Sequence, residues 1–420
     1  MIFNISLGYN LIEKKKMEKL FEIQRIIIEQ FENQPFYHRD LFNNISMDNH
    51  VCGIIGARGV GKTTFLLKHA INSGAKKRKA LYVSADNIFF LENKLIDLVD
   101  YLYKQTSTEI LYIDEIHKYP NWKQELKNIV DTYPSIKIFF SGSSMIDLIQ
   151  GKYDLSRRVS LYKLFGFSFR EYLEFYLGKT LPKITLHDLH SSHLSIAQKL
   201  DIPRILMHFN NYLKIGYFPF FKGFVQDREK FQSLENSVQM TIYEDIATLY
   251  SLKTPTLLLI EKLYKFILNS SPGELNAFKL AKTLGKDFES ISNYLKYLEQ
   301  AGLIRFIFPK NSGNAYLRNP IKMYPDNSNL IYASYLPLAQ DQIKGKIRET
   351  FVVNQIQNMQ IPIFYSQNGD FKVSNMIFEI GGKNKTRKQI YAEKNAFILA
   401  DDIVVGAKGI IPLYLIGFLY

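Results

Sequence analysis

Cysteine is nearly missing from this sequence. One residue, Cys52, stands among 420, so no internal disulfide can form, a cysteine-based metal centre is excluded, and a reducing compartment fits. Long apolar runs are also lacking. The longest, GIIPLYLIGFLY from Gly409, has about 12 residues and contains proline, too short for the roughly 20 that a spanning helix needs. The N-terminal MIFNISLGYNLIEKKKMEKL sets polar residues inside its apolar stretch and its lysines after it, the reverse of a secretory signal. A cytoplasmic protein without a membrane span is therefore expected. Acidic residues are in deficit: 40 Asp and Glu against 53 Lys and Arg give a formal net charge of +13. Such an excess favours polyanionic partners, whether nucleotide, nucleic acid or an anionic membrane surface. No repeat or low-complexity tract occurs. With 46% hydrophobic residues the chain can build cores, and its length exceeds the roughly 250–300 residues at which cores divide, so two or three domains are expected.

Residues 12 to 32 place Ile12, Leu20, Ile23, Ile27 and Phe31 at helical spacing among charges, predicting an amphipathic helix in an N-terminal segment, 1–34. Short β-rich runs then alternate with helical ones: VCGII, ALYVSA, ILYID and KIFFS, separated by KHAIN, LIDLVDYLYK and WKQELKNIV. That order predicts parallel strands with crossover helices, an α/β domain over 35–165. A helical region, 166–255, follows. In 256–310, Ile291, Tyr294, Leu295 and Leu298 make one helical face before AGLI and the strand-like LIRFIF, the pattern of a winged helix-turn-helix. Strand-like runs return in 311–420.

Gly56-Ala57-Arg58-Gly59-Val60-Gly61-Lys62-Thr63 fits GxxxxGK[ST], directly after VCGII and before TFLLKHAIN. Strand, glycine loop and helix are the context such a phosphate-binding loop requires. Glycines let successive N–H groups turn toward phosphate oxygens, and the helix that starts at Lys62 presents its positive end to the same anion. Gly56, Arg58, Gly59, Val60, Gly61, Lys62, Thr63 and Thr64 are the expected nucleotide contacts, with Lys62 on the β- and γ-phosphates and Thr63 on Mg²⁺. The apolar run ILYID ends in Asp114-Glu115. A carboxylate at the end of a buried strand can hold the magnesium shell, which suits Asp114, and its neighbour Glu115 can act as general base. KIFFSGSS puts Ser141, Ser143 and Ser144 at a further strand end, where a hydroxyl can sense the γ-phosphate or water; Ser144 is retained as a candidate. Arg157 or Arg158 could neutralise charge developing in phosphoryl transfer, in cis or across a subunit boundary, or the two could form a solvated or salt-bridged pair.

The phrases GARGVGKTT, LYIDEIHKYPNWKQELKNIVDTYP, FFSGSS, LSRRVSLYKLFGFSFREYL, YLKIGYFPF and FEIGGKNK resemble AAA-type ATPases that carry a C-terminal domain known as DUF4143. The resemblance covers the chain from about residue 35. It implies an AAA+-like parallel-sheet P-loop domain, a helical middle with a winged helix, and a C-terminal α/β restriction-endonuclease-like domain. By the same resemblance Lys62 and Thr63 are the phosphate and magnesium contacts, and Asp114 and Glu115 the metal and water residues, with ATP and Mg²⁺ as cofactors. Asp114-Glu115-Ile116-His117 also resembles a DExH helicase box, but the QxxGRxGR stretch of such a helicase is absent. His117 then reads as a polar residue flanking a helix.

Within the winged-helix pattern, Ser290, Asn293 and Lys296 are the residues available to a major groove, with Lys282 and Lys286 near phosphates. A structural lid is the other use of such a module. The tail brings Glu349, Asp370 and Glu379 forward as the acidic skeleton of a PD-(D/E)xK magnesium nuclease, with Asp370 and Glu379 as candidate metal ligands. Gly381 stands where the lysine of that motif belongs, and the first lysine is Lys383. Along a straight strand Lys383 lies about 13 Å from Glu379, against roughly 7 Å for the regular spacing. A bend at Gly381-Gly382 could bring it closer. Otherwise Lys383, Lys385, Arg387 and Lys388 form a basic hairpin on a fold that does not cut. The expectation is a Mg²⁺-dependent ATPase acting on nucleic acid, able to assemble with further copies of itself. The alternative is a nucleotide-gated interaction protein that hydrolyses slowly or not at all.

Overall fold

The computed structural model describes the chain apart from residues 1, 35, 47–48, 143–157, 272–276, 311–321 and 335–339. It contains two compact units, Met1–Leu164 and Phe165–Tyr420.

In the first unit, β1 (Val51–Ile55), β2 (Ala80–Ser84), β3 (Ile110–Asp114), β4 (Lys137–Gly142) and β5 (Val159–Lys163) form one sheet in the order β2-β3-β4-β1-β5. Every pairing is parallel. β1 and β3 are buried at all five positions, as apolar runs in the middle of a parallel sheet should be. β5 was not among the expected strands. It lies at the sheet edge and alternates between half-buried and exposed residues, so VSLYK lacks the apolar run that marks the inner strands.

The unit's long helices are α1 (Ile2–Glu32), α2 (Lys62–Asn72), α3 (Leu95–Gln105) and α4 (Trp122–Thr132). α3 buries Leu95, Leu98, Val99 and Leu102, a stripe at helical spacing. α1 extends further toward the N-terminus than the periodicity predicts, and its buried stripe is rotated by about one residue. Met17, Leu20, Phe21, Gln24 and Ile28 are buried, whereas Ile23, Ile27 and Phe31 are half-buried. The rotation follows from the polar Gln24, which sits on the buried face because the strand edge beneath it offers hydrogen-bonding partners.

The second unit opens with α5 (Phe169–Leu177), begun by a reciprocal cap between Ser168 and Glu171. α6 (Ile205–Ile215) and α7 (Asp227–Met240) follow. Then α8 (Thr254–Asn269), α9 (Ala277–Leu284) and α10 (Phe288–Gln300) lead into β6 (Ile304–Pro309) and β7 (Lys322–Pro325). β6 and β7 pair antiparallel from Ile304↔Pro325 to Ile307↔Lys322. Two helices, α11 (Ser328–Ser334) and α12 (Gln340–Asn358), precede an antiparallel meander of β8 (Ile363–Tyr365), β9 (Phe371–Val373) and β10 (Met376–Gly381). β11 (Ala396–Ala400) and β12 (Ile410–Pro412) add in parallel beyond β10.

All seven strands form one sheet, β12-β11-β10-β9-β8-β6-β7. The link between its halves is the short parallel pairing Phe308↔Phe364 and Pro309↔Tyr365. A boundary drawn at residue 310 therefore falls between the two strands of one ribbon.

Candidate nucleotide site

The loop after β1 is shaped by its glycines. A Cβ on Gly56 would stand 2.1 Å from the Leu164 carbonyl oxygen, a separation no side chain tolerates. Gly59 and Gly61 have φ of 82° and 98°, a region that L-residues avoid. Gly61 caps α2, and its carbonyl accepts the Phe65 N–H at 2.9 Å. Lys62, the first residue of α2, is buried. Its ammonium donates to the Gly56 and Ala57 carbonyls, both at 2.8 Å, and so folds back over the loop. Thr63 and Thr64 are exposed on the first helical turn, Val60 is buried, and Arg58 is half-buried.

Asp114 ends β3 at 4% exposure, between β2 and β4. The Tyr82 hydroxyl, from β2, donates to its Oδ2 at 2.8 Å. The Ser141 hydroxyl, from β4, donates to its Oδ1. Ser141 Oγ also accepts the Glu115 N–H at 2.9 Å. This corrects the expectation for Ser141: its hydroxyl is occupied in fixing the acidic pair, because Ser141 lies within the strand rather than beyond its end. Ser143, Ser144 and Arg157 lie outside the described residues. Arg158 forms an ion pair with Asp131 of α4, Nε to Oδ1 at 3.1 Å.

Glu115 has φ of 51°, a left-handed conformation uncommon for a non-glycine residue. Its N–H bond to Ser141 helps hold that conformation. Burial raises the Glu115 carboxyl above its usual range, Arg58 and Lys62 oppose the rise, and the neighbouring Asp114 adds to it. Glu115 thus sits within electrostatic reach of both basic residues of the loop. Tyr82 was missed in the sequence because a lone tyrosine inside an apolar strand reads as core, and only the β2–β3 pairing shows what its hydroxyl meets.

In the second unit the acidic residues of the tail do converge, each on a cation or a donor. Glu349 Oε2 accepts the Tyr324 hydroxyl at 2.5 Å and the Lys322 ammonium at 3.3 Å. Lys322 also lies 3.7 Å from Asp370 Oδ1, while Asp370 Oδ2 accepts the Ile380 N–H at 2.8 Å. Glu379, at 2% exposure, pairs with Lys385 at 2.5 Å.

The expected lysine is thereby corrected from Lys383 to Lys385. β10 stops at Gly381, and the following turn, closed by the Lys385 N–H on the Gly382 carbonyl at 3.0 Å, swings the later lysine back over Glu379. A Cβ on Gly381 would meet the Lys385 side chain at 2.6 Å, so the glycine makes room for that return. Burial raises the Glu379 carboxyl, Lys385 opposes the rise, and Asp370 and Glu349 add to it. Among the described residues no group of three or more acidic, histidine or cysteine side chains is arranged to hold a metal ion.

On α10, Lys296 is exposed, as are Lys282 and Lys286 before it. Asn293 is half-buried. Ser290 is engaged by the helix cap, donating from N–H and Oγ to Asp287, each at 2.7 Å.

A parallel five-stranded sheet, a glycine loop between β1 and α2, and a buried lysine facing a strand-end acid define a P-loop nucleotide-binding domain. Residues 48–173 match the family model of an AAA domain, in keeping with the P-loop fold of the first unit. Residues 206–332 match a domain of unknown function, DUF8612, where the resemblance had pointed to DUF4143. No curated protein matches the chain.

Among solved structures, the chain is similar to AMPPCP-bound DnaA from Aquifex aeolicus, at 16% identity and TM-score 0.27, over 64% of this chain and 90% of that one. It is similar to RuvB from Thermotoga maritima, at 16% identity and TM-score 0.26, over 69% and 89%. The ADP complex of Hsp104 from S. cerevisiae gives 15% identity and TM-score 0.27, over 60% of this chain and 36% of that one. No described helix is long and apolar enough to cross a membrane.

Proposed function

We propose that the chain is a Mg²⁺-dependent ATPase whose nucleotide state is coupled to its second unit. One observation carries this reading: the buried Lys62 closes over a loop of left-handed glycines while Asp114 and Glu115 stand at the end of β3. The residues suit the ligand. Gly56 admits no side chain against the Leu164 carbonyl, Gly59 and Gly61 hold the left-handed turns of the loop, and Lys62, Thr63 and the N–H groups opening α2 supply donors of the right sign. Mg²⁺, when bound with ATP, supplies neutralisation of the phosphate charge.

With nucleotide bound, Lys62 would hold the β- and γ-phosphates, the Thr63 hydroxyl and Asp114 would hold the metal's shell, and Glu115 would accept a proton from the attacking water. The raised carboxyl of Glu115 suits a general base. Ser144 stays a candidate for sensor, and Arg157 or Arg158 for arginine finger. Lys62→Ala should abolish nucleotide binding or turnover, and Glu115→Gln should keep binding while stopping phosphate release. Wild-type turnover in both variants would sink the assignment.

For the second unit, the helices α8 to α10 and the β6–β7 ribbon support a winged-helix reading, with Lys282, Lys286 and Lys296 exposed toward a polyanion. On this reading 166–255 is a helical linker, the winged helix-turn-helix expected over 256–310 takes in β7 beyond that bound, and the remainder to 420 is a nuclease-like, DUF4143-type domain, in a cytoplasmic protein that assembles with further copies of itself. A second reading of the tail is favoured by Lys322 and Lys385, whose ammonium groups occupy the carboxylates that a metal would need. The tail then works as a scaffold that does not cut. ATP turnover and DNA cleavage measured together, with Mg²⁺ or Mn²⁺, for wild type and Asp370→Ala/Glu379→Ala separate the two: cleavage that the double variant loses restores the nuclease.

A further inference from the structure

We propose that Tyr82 is a positioning residue for the metal arm of the nucleotide site and that Gln24, on the N-terminal helix α1, holds it in place. The proposal rests on the ATPase reading above.

β2 is an edge strand of the first unit's sheet, so one side of its backbone has no strand neighbour. An unpaired edge must find other hydrogen-bonding partners. Gln24 supplies them. It is 3% exposed, its Nε2 donates to the Ala75 and Ala80 carbonyls at 3.2 and 3.3 Å, and its Oε1 accepts the Tyr82 N–H at 2.5 Å. α1 is further tied down by the Tyr101 hydroxyl on Glu18 at 2.7 Å, by Lys76 on Glu32 at 2.6 Å, and by the Arg78 guanidinium 4.0 Å from the Phe21 ring centre.

From the backbone that Gln24 fixes, the Tyr82 side chain reaches Asp114, where its hydroxyl donates to Oδ2. Ser141 holds the other oxygen. A carboxylate held at both oxygens by donors on separate strands has its rotation fixed without losing its charge, because both donors are neutral. Partners behind a metal-binding carboxylate of this kind set its orientation and affinity. The consequence is a link of two side chains from α1 to the magnesium shell, all within one unit.

The test is nucleotide binding by the full chain, read from a fluorescent ADP analogue titrated with Mg²⁺ and again in EDTA. Tyr82→Phe keeps the ring and removes only the hydroxyl. It should require about tenfold more Mg²⁺ for the same tightening, with affinity in EDTA unchanged. Gln24→Ala should shift the Mg²⁺ requirement in the same direction by about two- to threefold.

A Tyr82→Phe chain with the wild-type Mg²⁺ requirement overturns the proposal, and so does an equal loss of affinity with and without Mg²⁺, which is what a merely structural tyrosine would give. A wild-type requirement in Gln24→Ala overturns the part assigned to α1. A wild-type chain that binds no nucleotide overturns the ATPase reading, and this proposal with it; the other outcomes leave that reading standing.

Discussion

The two acidic clusters of this chain are held in opposite ways. Asp114 accepts from two neutral hydroxyls, Tyr82 and Ser141, so its negative charge stays available to a cation. Glu349, Asp370 and Glu379 face the ammonium groups of Lys322 and Lys385, so theirs is largely spent within the protein. Acidic residues converging in space are therefore not enough to define a metal site; what they converge on decides. Burial acts in one direction on titratable groups of both units. His69, in the first unit, is buried against the Phe42, Phe65 and Phe139 rings and shares a hydrogen bond with the Tyr112 hydroxyl. Lys346, in the second, is buried with three carbonyls around its amine, those of Ile267, Leu268 and Ser270 at 2.6, 2.7 and 2.6 Å, and burial lowers it to about 7.

The largest expected effect tests one buried neutral group of the first unit. Burial lowers His69 from its usual value to about 4. Because the folded value lies below the unfolded one, the unfolded chain takes up the proton first. The contribution is complete above pH 6.5 and is lost as pH falls toward 4, by about 3 kcal/mol for a shift of this size. Denaturant unfolding of the wild type and His69→Phe across that window should show the slope in the first and a shallower one in the second. Equal slopes would mean that His69 is not buried neutral.

Next, Ser141→Ala removes one of the two donors on Asp114 and the acceptor for the Glu115 N–H. Mg²⁺-dependent ATP turnover should fall about 10- to 100-fold while affinity for the nucleotide in EDTA is retained. Unchanged turnover would show that Tyr82 alone holds the pair. The smallest effect belongs to the tail. Lys385→Met leaves Glu379 buried without its cation, and since Lys385 is itself a third exposed, the expected loss in the second unit is about 1 kcal/mol. Chemical denaturation gives that figure. Nucleotide binding should stay at the wild-type level, and a loss of it would break the division of labour drawn between the two clusters.

Much of the first unit was legible in the sequence. The glycine loop and the apolar run ending in Asp114-Glu115 are local signals whose spacing already contains the chemistry. What escaped depends on pairing between distant strands. Nothing near Tyr82 marks its hydroxyl as a partner of Asp114, and Ser141 looked like a free strand-end hydroxyl until its register beside β3 was known. β5 was hidden by its edge position. In the second unit the acids were found but their partners were not: Lys322 comes from a different strand, and Lys385 arrives through a turn whose geometry Gly381 and Gly382 permit but do not announce.

The β6–β7 ribbon has one more consequence, for how such a chain can change over generations. Its strands lie on either side of residue 310 and pair along four positions, and β6 continues the sheet into β8. Recombination that replaced the segment after 310 by one without these strands would leave β6 without both of its neighbours and expose backbone on each side of it. The ribbon and the strands beyond it must then be inherited together, and variation by shuffling is confined to joints elsewhere in the chain.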